Sequence, residues 1–317
     1  MIASRRHMIA ATLAGGTLLP AIARGEIFAS GYHPQASLIA DGVWLVRGAD
    51  EAIDFTNGGA IANAVLIATD TGTVLIDPGP SLAYGKALAA LSRNVTGMDV
   101  ARVYITHLHP DHSFGAGAFD PAIVHALPAT RHDLESEGSG FSDAMYRMLA
   151  DWMAGTHVAI PQGDVAPGEA TFGGRSFEIY AMDGHSNGDL VILDKATGTL
   201  IGGDLLFHDR APATPHADIA RWLTALDRLE GIAHKLLVPG HGPPDSDGTS
   251  IAQTRDWLTW LHDSLHDAVL TGKDMTEAGA MAIPTRFADL KVARYELQRS
   301  VSHYYPKLEA QLLPRID

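Results

Sequence analysis

The 317-residue sequence contains no cysteine. That absence excludes disulfides, thiolate metal sites and cysteine nucleophiles together. Cationic side chains are also sparse: 23 Lys and Arg stand against 37 Asp and Glu, a formal net charge of −14. A balance of that sign argues against nucleic acid or an anionic membrane surface as the main partner. The apolar run Met8 to Leu19 is too short and too glycine-rich for stable membrane insertion, since a spanning helix needs about 20 apolar residues. What remains is ordinary for a packed globular protein. Hydrophobic residues make up 46% and charged residues 19%, with 32 Gly and 17 Pro, a composition too apolar for disorder and rich in turns.

That short apolar run follows Ser4-Arg5-Arg6-His7, and Ala21-Ile22-Ala23 offers a small-residue cleavage site. The segment is similar to a twin-arginine export signal, which implies removal of residues 1–23 and a mature protein, 24–317, in a bacterial periplasm. Roughly 290 residues lie near the upper limit for one hydrophobic core. The sequence has no Pro/Ser-rich linker, charge block or short-period repeat.

Strand-like and helix-like runs alternate. Gly42–Gly48, Ala62–Ala68 and Gly72–Ile76 read as strands, with Thr69-Asp70-Thr71-Gly72 as a hairpin turn. Ser81 is placed to cap a helix over Leu82–Ser92, and Val100–Thr106 is a further strand. A second half echoes the first through Arg175–Met182, Leu190–Leu193, Leu200–Gly203, a helix over Ile219–Leu229, and Lys235–Pro239. Two such halves predict two packed sheets with outer helices. Ser250–Leu270 and Lys291–Gln311 read as amphipathic C-terminal helices, with Trp257, Trp260, Tyr295 and Tyr304 as packing residues. Met145–Met153 reads as a short helix after a flexible Ser136–Ser142 stretch, either packed or acting as a lid.

The chemistry is concentrated in histidines and aspartates. Thr106-His107-Leu108-His109-Pro110-Asp111-His112 follows directly from a strand, where alternate side chains share a face. Three imidazoles and a carboxylate within six residues form an N/O donor set suited to zinc. Three later motifs place further donors at strand ends: Gly184-His185-Ser186-Asn187-Gly188-Asp189, Gly202-Gly203-Asp204-Leu205-Leu206-Phe207 and Pro239-Gly240-His241-Gly242. Their glycines let backbone approach a metal closely.

On these motifs, in this order, the sequence resembles the metallo-β-lactamase superfamily from about Gly42 to Gly242. The resemblance implies a four-layer αββα sandwich with the site at one edge between the sheets. It also implies His107, His109 and His185 on a first metal, Asp111, His112 and His241 on a second, and Asp204 bridging both. Two Zn2+ ions are the implied cofactor, with iron or manganese also compatible. Gly203–Phe207, the helix Arg221–Leu229 and Pro239–Pro243 are most similar to periplasmic zinc hydrolases associated with quinoprotein (PQQ) dehydrogenase systems, which implies such a dehydrogenase as partner. True β-lactamases typically carry cysteine or serine where this chain has Asp204, so the aspartate tilts the reading away from antibiotic resistance.

The implied chemistry is hydrolysis of an ester, thioester or lactam in a small-molecule substrate. A hydroxide held between two metals is the nucleophile, and Asp111 orients it and carries its proton. Asp77, Asp189, His208 and Arg210 are candidates to brace the ligand loops or to contact substrate; His208, Arg210 and His216 follow Asp204 on one loop, where Arg210 is suited to a substrate anion. Three alternatives stay open: a β-lactamase, an iron-dependent oxidoreductase of the same fold, and a non-catalytic metal- or quinone-binding accessory protein.

Overall fold

The computed structural model describes residues 31–313. The twin-arginine segment and its expected cleavage after Ala23 lie outside the described residues. A seven-stranded sheet takes its strands in chain order: β1 (Ala36–Ala40), β2 (Val43–Val46), β3 (Ala64–Thr69), β4 (Gly72–Ile76), β5 (Val100–Tyr104), β6 (Val124–Ala126) and β7 (Gly163–Asp164). A five-stranded sheet follows, comprising β8 (Gly168–Phe172), β9 (Arg175–Met182), β10 (Asp189–Asp194), β11 (Thr199–Phe207) and β12 (Leu236–His241), in the order β12-β11-β10-β9-β8. The helices are α1 (Leu82–Thr96), α2 (Pro110–Ser113), α3 (Pro128–Leu149), α4 (Ile219–Glu230), α5 (Thr249–Leu270), α6 (Met275–Gly279) and α7 (Ala293–Leu312).

Strand periodicity builds the layers. Val43, Leu45, Val65, Ile67, Val74 and Ile76 face Phe177, Ile179, Leu190, Ile192, Ile201 and Val238 across the space between the sheets. The alternate residues Val46, Ala64, Leu66 and Leu75 point the other way, onto Tyr84 and Leu88 of α1 and Leu134 of α3. On the outer face of the second sheet, Val191, Leu200 and Leu237 pack with Trp222 of α4, Trp257 of α5 and Leu297 of α7. The result is helices, sheet, sheet, helices: the αββα order expected from the sequence. Both faces of each central strand are buried, which is why these runs are almost uninterrupted in Val, Ile and Leu.

Ser81 caps α1 as expected, its hydroxyl accepting from the Tyr84 N–H, and the helix runs on to Thr96, where Gly97 turns left-handed at φ 75°. The flexible stretch over Ser136–Ser142 is not found. Those residues lie inside α3, which begins with Pro128 at its first position and ends at Leu149, so the helix expected to start at Met145 starts 17 residues earlier than its sequence pattern suggests. Packing overrides two mid-helix glycines here. Gly138 lies against Val158, and a Cβ at that position would come within 2.7 Å of the valine methyl.

Candidate metal centre

The expected donors gather at one edge of the sandwich, from the segments after β5 and β9, the short α2, and the later residues of β11 and β12. His107 and His109 follow β5, and Asp111 and His112 sit in the single turn of α2. His185 follows β9, Asp204 lies within β11, and His241 closes β12. All seven are buried. β11 and β12 run parallel, with register irregularities around Gly203 and before Phe207 that bracket Asp204. Gly240 is required there because a Cβ would fall 1.9 Å from Asp204 Oδ1. Asn63 closes the edge from the other sheet, its Nδ2 donating to the carbonyls of Pro239 (2.8 Å) and Gly242 (2.9 Å).

The donors form two groups that could each hold a metal ion: His107, His109, His185 and Asp204, and then Asp111, His112 and His241. In the first, His109 Nδ1 lies 2.9 Å from both His107 Nε2 and His185 Nε2, and Asp204 Oδ2 lies 3.4 Å from His185 Nε2. In the second, His241 Nε2 is 3.4 Å from Asp111 Oδ2 and 3.4 Å from His112 Nε2. Asp204 reaches both groups, with Oδ1 3.0 Å from His112 Nε2 and Oδ2 3.4 Å from His241 Nε2.

The outer ring nitrogens explain why a cation suits this arrangement. His107 Nδ1 lies 2.9 Å from Thr106 Oγ1, which itself donates to Asp77 Oδ2 at 2.8 Å. His112 Nδ1 meets Asp77 Oδ2 at 2.7 Å, and His241 Nδ1 meets the Ile61 carbonyl at 2.9 Å. His109 Nε2 contacts His216 Nδ1 at 2.9 Å, and His216 Nε2 lies 3.2 Å from Glu137. With the outer nitrogens of His107 and His109 donating, the inner nitrogens of these two rings carry lone pairs that point at each other. Clustered lone pairs repel unless a positive ion sits among them. The donor set therefore fits divalent metal, and imidazole with carboxylate suits zinc.

Electrostatics point the same way. Burial pushes His109 and His185 well below the ordinary histidine range and His107 down to about 4, so these rings are neutral. His112 behaves oppositely: burial lowers it, but Asp204, Asp77 and Asp111 outweigh burial and hold it well above that range. Burial would also raise Asp204, yet His241 and His112 keep it well below the usual carboxylate range. Metal would take the place of the proton that three surrounding carboxylates now draw onto His112.

The remaining candidates divide. Asp77, held at φ 60°, also accepts the Thr106 N–H at 2.8 Å, so one carboxylate touches the supports of both groups. Asp189 accepts the N–H of His185 and of Ser186 at 3.0 Å each and fixes the His185 loop, while burial raises its carboxyl to about 7. His208 stands behind the site, its Nδ1 2.8 Å from the Pro243 carbonyl. It braces the His241 loop, the first of its two expected roles, and does not line the cavity. Arg210 does line the cavity. Glu137, Glu296 and Arg299 were not anticipated, and Tyr295, expected to pack, is exposed at the cavity rim.

A cavity of about 210 Å3 opens over the donors, floored by His109, Asp111, Asp204 and His241. An αββα sandwich with a buried His/Asp donor cluster at its sheet edge defines a class of metal-dependent hydrolases. Comparison with known proteins agrees: the Metallo-beta-lactamase superfamily profile matches residues 57–241, more than half of the chain, and the chain belongs to that superfamily. It is 21% identical over 239 residues to a linear primary-alkylsulfatase of a Pseudomonas species, covering 62% of this chain but only 45% of that protein's length. It is 26% identical over 225 residues to the human acyl-coenzyme A thioesterase MBLAC2, covering 63% of this chain and 72% of that one. A metallo-beta-lactamase structure from Pontibacter korlensis superposes with a TM-score of 0.59 at 20% identity, covering 72% of this chain and 99% of that one, a likeness of fold.

Proposed function

We propose that the protein is a di-zinc hydrolase that cleaves an ester or thioester in a small-molecule substrate. The observation that carries this reading is the pair of donor groups sharing Asp204 on the floor of one cavity. Bound there, divalent ions would lower the pKa of water and polarise a carbonyl. His107, His109 and His185 would hold one ion and Asp111, His112 and His241 the other, with Asp204 between them. An aspartate at that place supports ester or thioester substrates over lactams, as does the likeness to an acyl-coenzyme A thioesterase.

Asp111 is the proton carrier in this reading. It lies on the cavity floor, and despite burial, His112 and His241 keep its carboxyl below the usual range, ready to accept a proton. It orients an incoming water and takes its proton as the oxygen bonds to the carbonyl carbon. The proton then passes to the thiolate or alkoxide as the bond to the acyl carbon breaks. Apolar side chains on α3 shield the acyl group from bulk water.

The twin arginines Arg5 and Arg6 support export to the periplasm. The likeness of Gly203–Phe207 and Pro239–Pro243 to hydrolases of quinoprotein systems supports a supporting role beside a periplasmic dehydrogenase. The test is turnover of an alkyl ester, an acyl thioester and a chromogenic lactam by zinc-loaded and metal-free protein. Thioester or ester cleavage by the loaded form alone, with lactam slower by at least about tenfold, is expected. Turnover unchanged by metal removal would overturn the reading.

A further inference from the structure

The cavity wall is divided by chemistry. One side is apolar, formed by Ile53 and by Phe141, Met145 and Met148, the last three on α3. Met148 is 46% exposed and Tyr295, at the rim on α7, is 45% exposed. Large apolar groups left in water around a concave site mark a surface that a ligand covers.

The other side is cationic. Arg210 is only 3% exposed, yet its Nε has no hydrogen-bond partner. Its Nη2 donates to the Glu51 carbonyl at 3.1 Å and lies 3.5 Å from Glu296 Oε1. Arg299 Nη1 stands 3.6 Å from Glu296 Oε2, and neither carboxylate oxygen has a hydrogen-bond partner. Two guanidinium groups thus share one buried carboxylate, Arg299 from a partly exposed position and Arg210 from a buried one that keeps an unused Nε donor. A buried cation with spare donors is satisfied by an anion brought in through the cavity.

We propose that the cavity takes an anionic amphiphile: a small molecule whose apolar chain lies along α3 and whose negative group is seated by Arg210 and Arg299. This names the substrate class of the hydrolase proposed above and rests on that reading. Glu296, Arg299 and Tyr295 lie on α7, beyond residues 57–241 that match the superfamily profile. Arg210 and the apolar residues of α3 lie within that matched region, so α7 adds a second cation and a rim aromatic to a seat that the shared frame begins.

The test is calorimetric titration of the full chain, zinc-loaded and metal-free, with octanesulfonate, butanesulfonate and neutral methyl octyl sulfone. Alkyl sulfonates offer no ester bond to cleave, so binding is read apart from turnover. Octanesulfonate is expected to bind about tenfold or more tighter than the sulfone, from charge-assisted hydrogen bonds. It is expected to bind about tenfold or more tighter than butanesulfonate, from four extra methylenes. Arg299→Gln, at a partly exposed position that folding tolerates, should abolish the first preference and keep the second, and Met148→Gln the reverse. Equal binding of sulfone and sulfonate would overturn the proposal. So would a sulfonate preference confined to zinc-loaded protein and untouched by Arg299→Gln, because the anion would then sit on metal. Ester or thioester turnover without the binding pattern sinks this inference alone. The binding pattern without any turnover sinks the hydrolase reading and leaves the cavity's selectivity standing.

Discussion

Asp77 shows how much one side chain can organise. Its two oxygens accept from the Thr106 N–H, the Thr106 hydroxyl and His112 Nδ1, and Thr106 in turn contacts His107 Nδ1. One carboxylate therefore orients a ring in each donor group. Asp77→Ala should lower zinc affinity by about 10–100-fold, the usual cost of losing a partner behind a metal ligand. Chelator competition measures it, and unchanged affinity would show that the rings are held by packing alone. The donors themselves were legible because they cluster in short motifs with glycine or proline close by, near the ends of strands. The chain from His109 through His216 to Glu137 was not: its members come from three distant segments, and no local pattern marks residues that meet only after the sheets pack. Which of its two expected roles His208 takes was hidden for a related reason. It follows Asp204 closely in sequence, yet the local backbone turns its ring toward Pro243.

α7 is where element-scale reading and function part company. Its apolar periodicity was visible, and Leu297, Val301, Tyr305 and Leu308 are buried against the second sheet's helices as that pattern requires. The other face of the same helix carries Tyr295 and Arg299 into the cavity wall, with the buried Glu296 beside them. Periodicity reports which residues are apolar and is silent about which charged residues meet a distant loop. Ending the chain before Ala293 would remove four buried side chains, whose burial is worth about 1.5–3 kcal/mol each, about 6–12 kcal/mol together, comparable to the whole stability of a typical domain, and would uncover the helices they pack against. Soluble expression of the shortened chain is expected to fail, and a cooperative melt near that of the full chain would contradict the packing role. The error over Ser136–Ser142 has an equally specific cause. Its glycines and serines disfavour helix locally, but contacts such as that between Gly138 and Val158 hold α3 together.

For the whole molecule, the four-layer order was legible because strands buried on both faces leave long apolar runs, and because the donor motifs recur at strand ends in both halves of the chain. The short edge strands β1, β7 and β8 were not, since none of their residues is fully buried and their pairing depends on neighbours, and β6, inside the sheet, is only three residues long. The proposed export route is tested on the full chain: with Arg5 and Arg6 replaced by lysines, precursor should accumulate in the cytoplasm, as cell fractionation would show. Normal periplasmic accumulation would exclude the twin-arginine route. The shared floor formed by Asp204 is what joins fold, site and reaction, and zinc stoichiometry tests it most directly. Metal-free protein should take up two zinc ions per chain, with thioester turnover following the second. Asp204→Asn should retain the ion on His107, His109 and His185, lose the other, and drop in turnover by orders of magnitude, because a negative charge between two dications is gone. Saturation of the parent protein at one ion with full turnover, or an Asp204→Asn variant holding two ions at full activity, would contradict a bridging carboxylate.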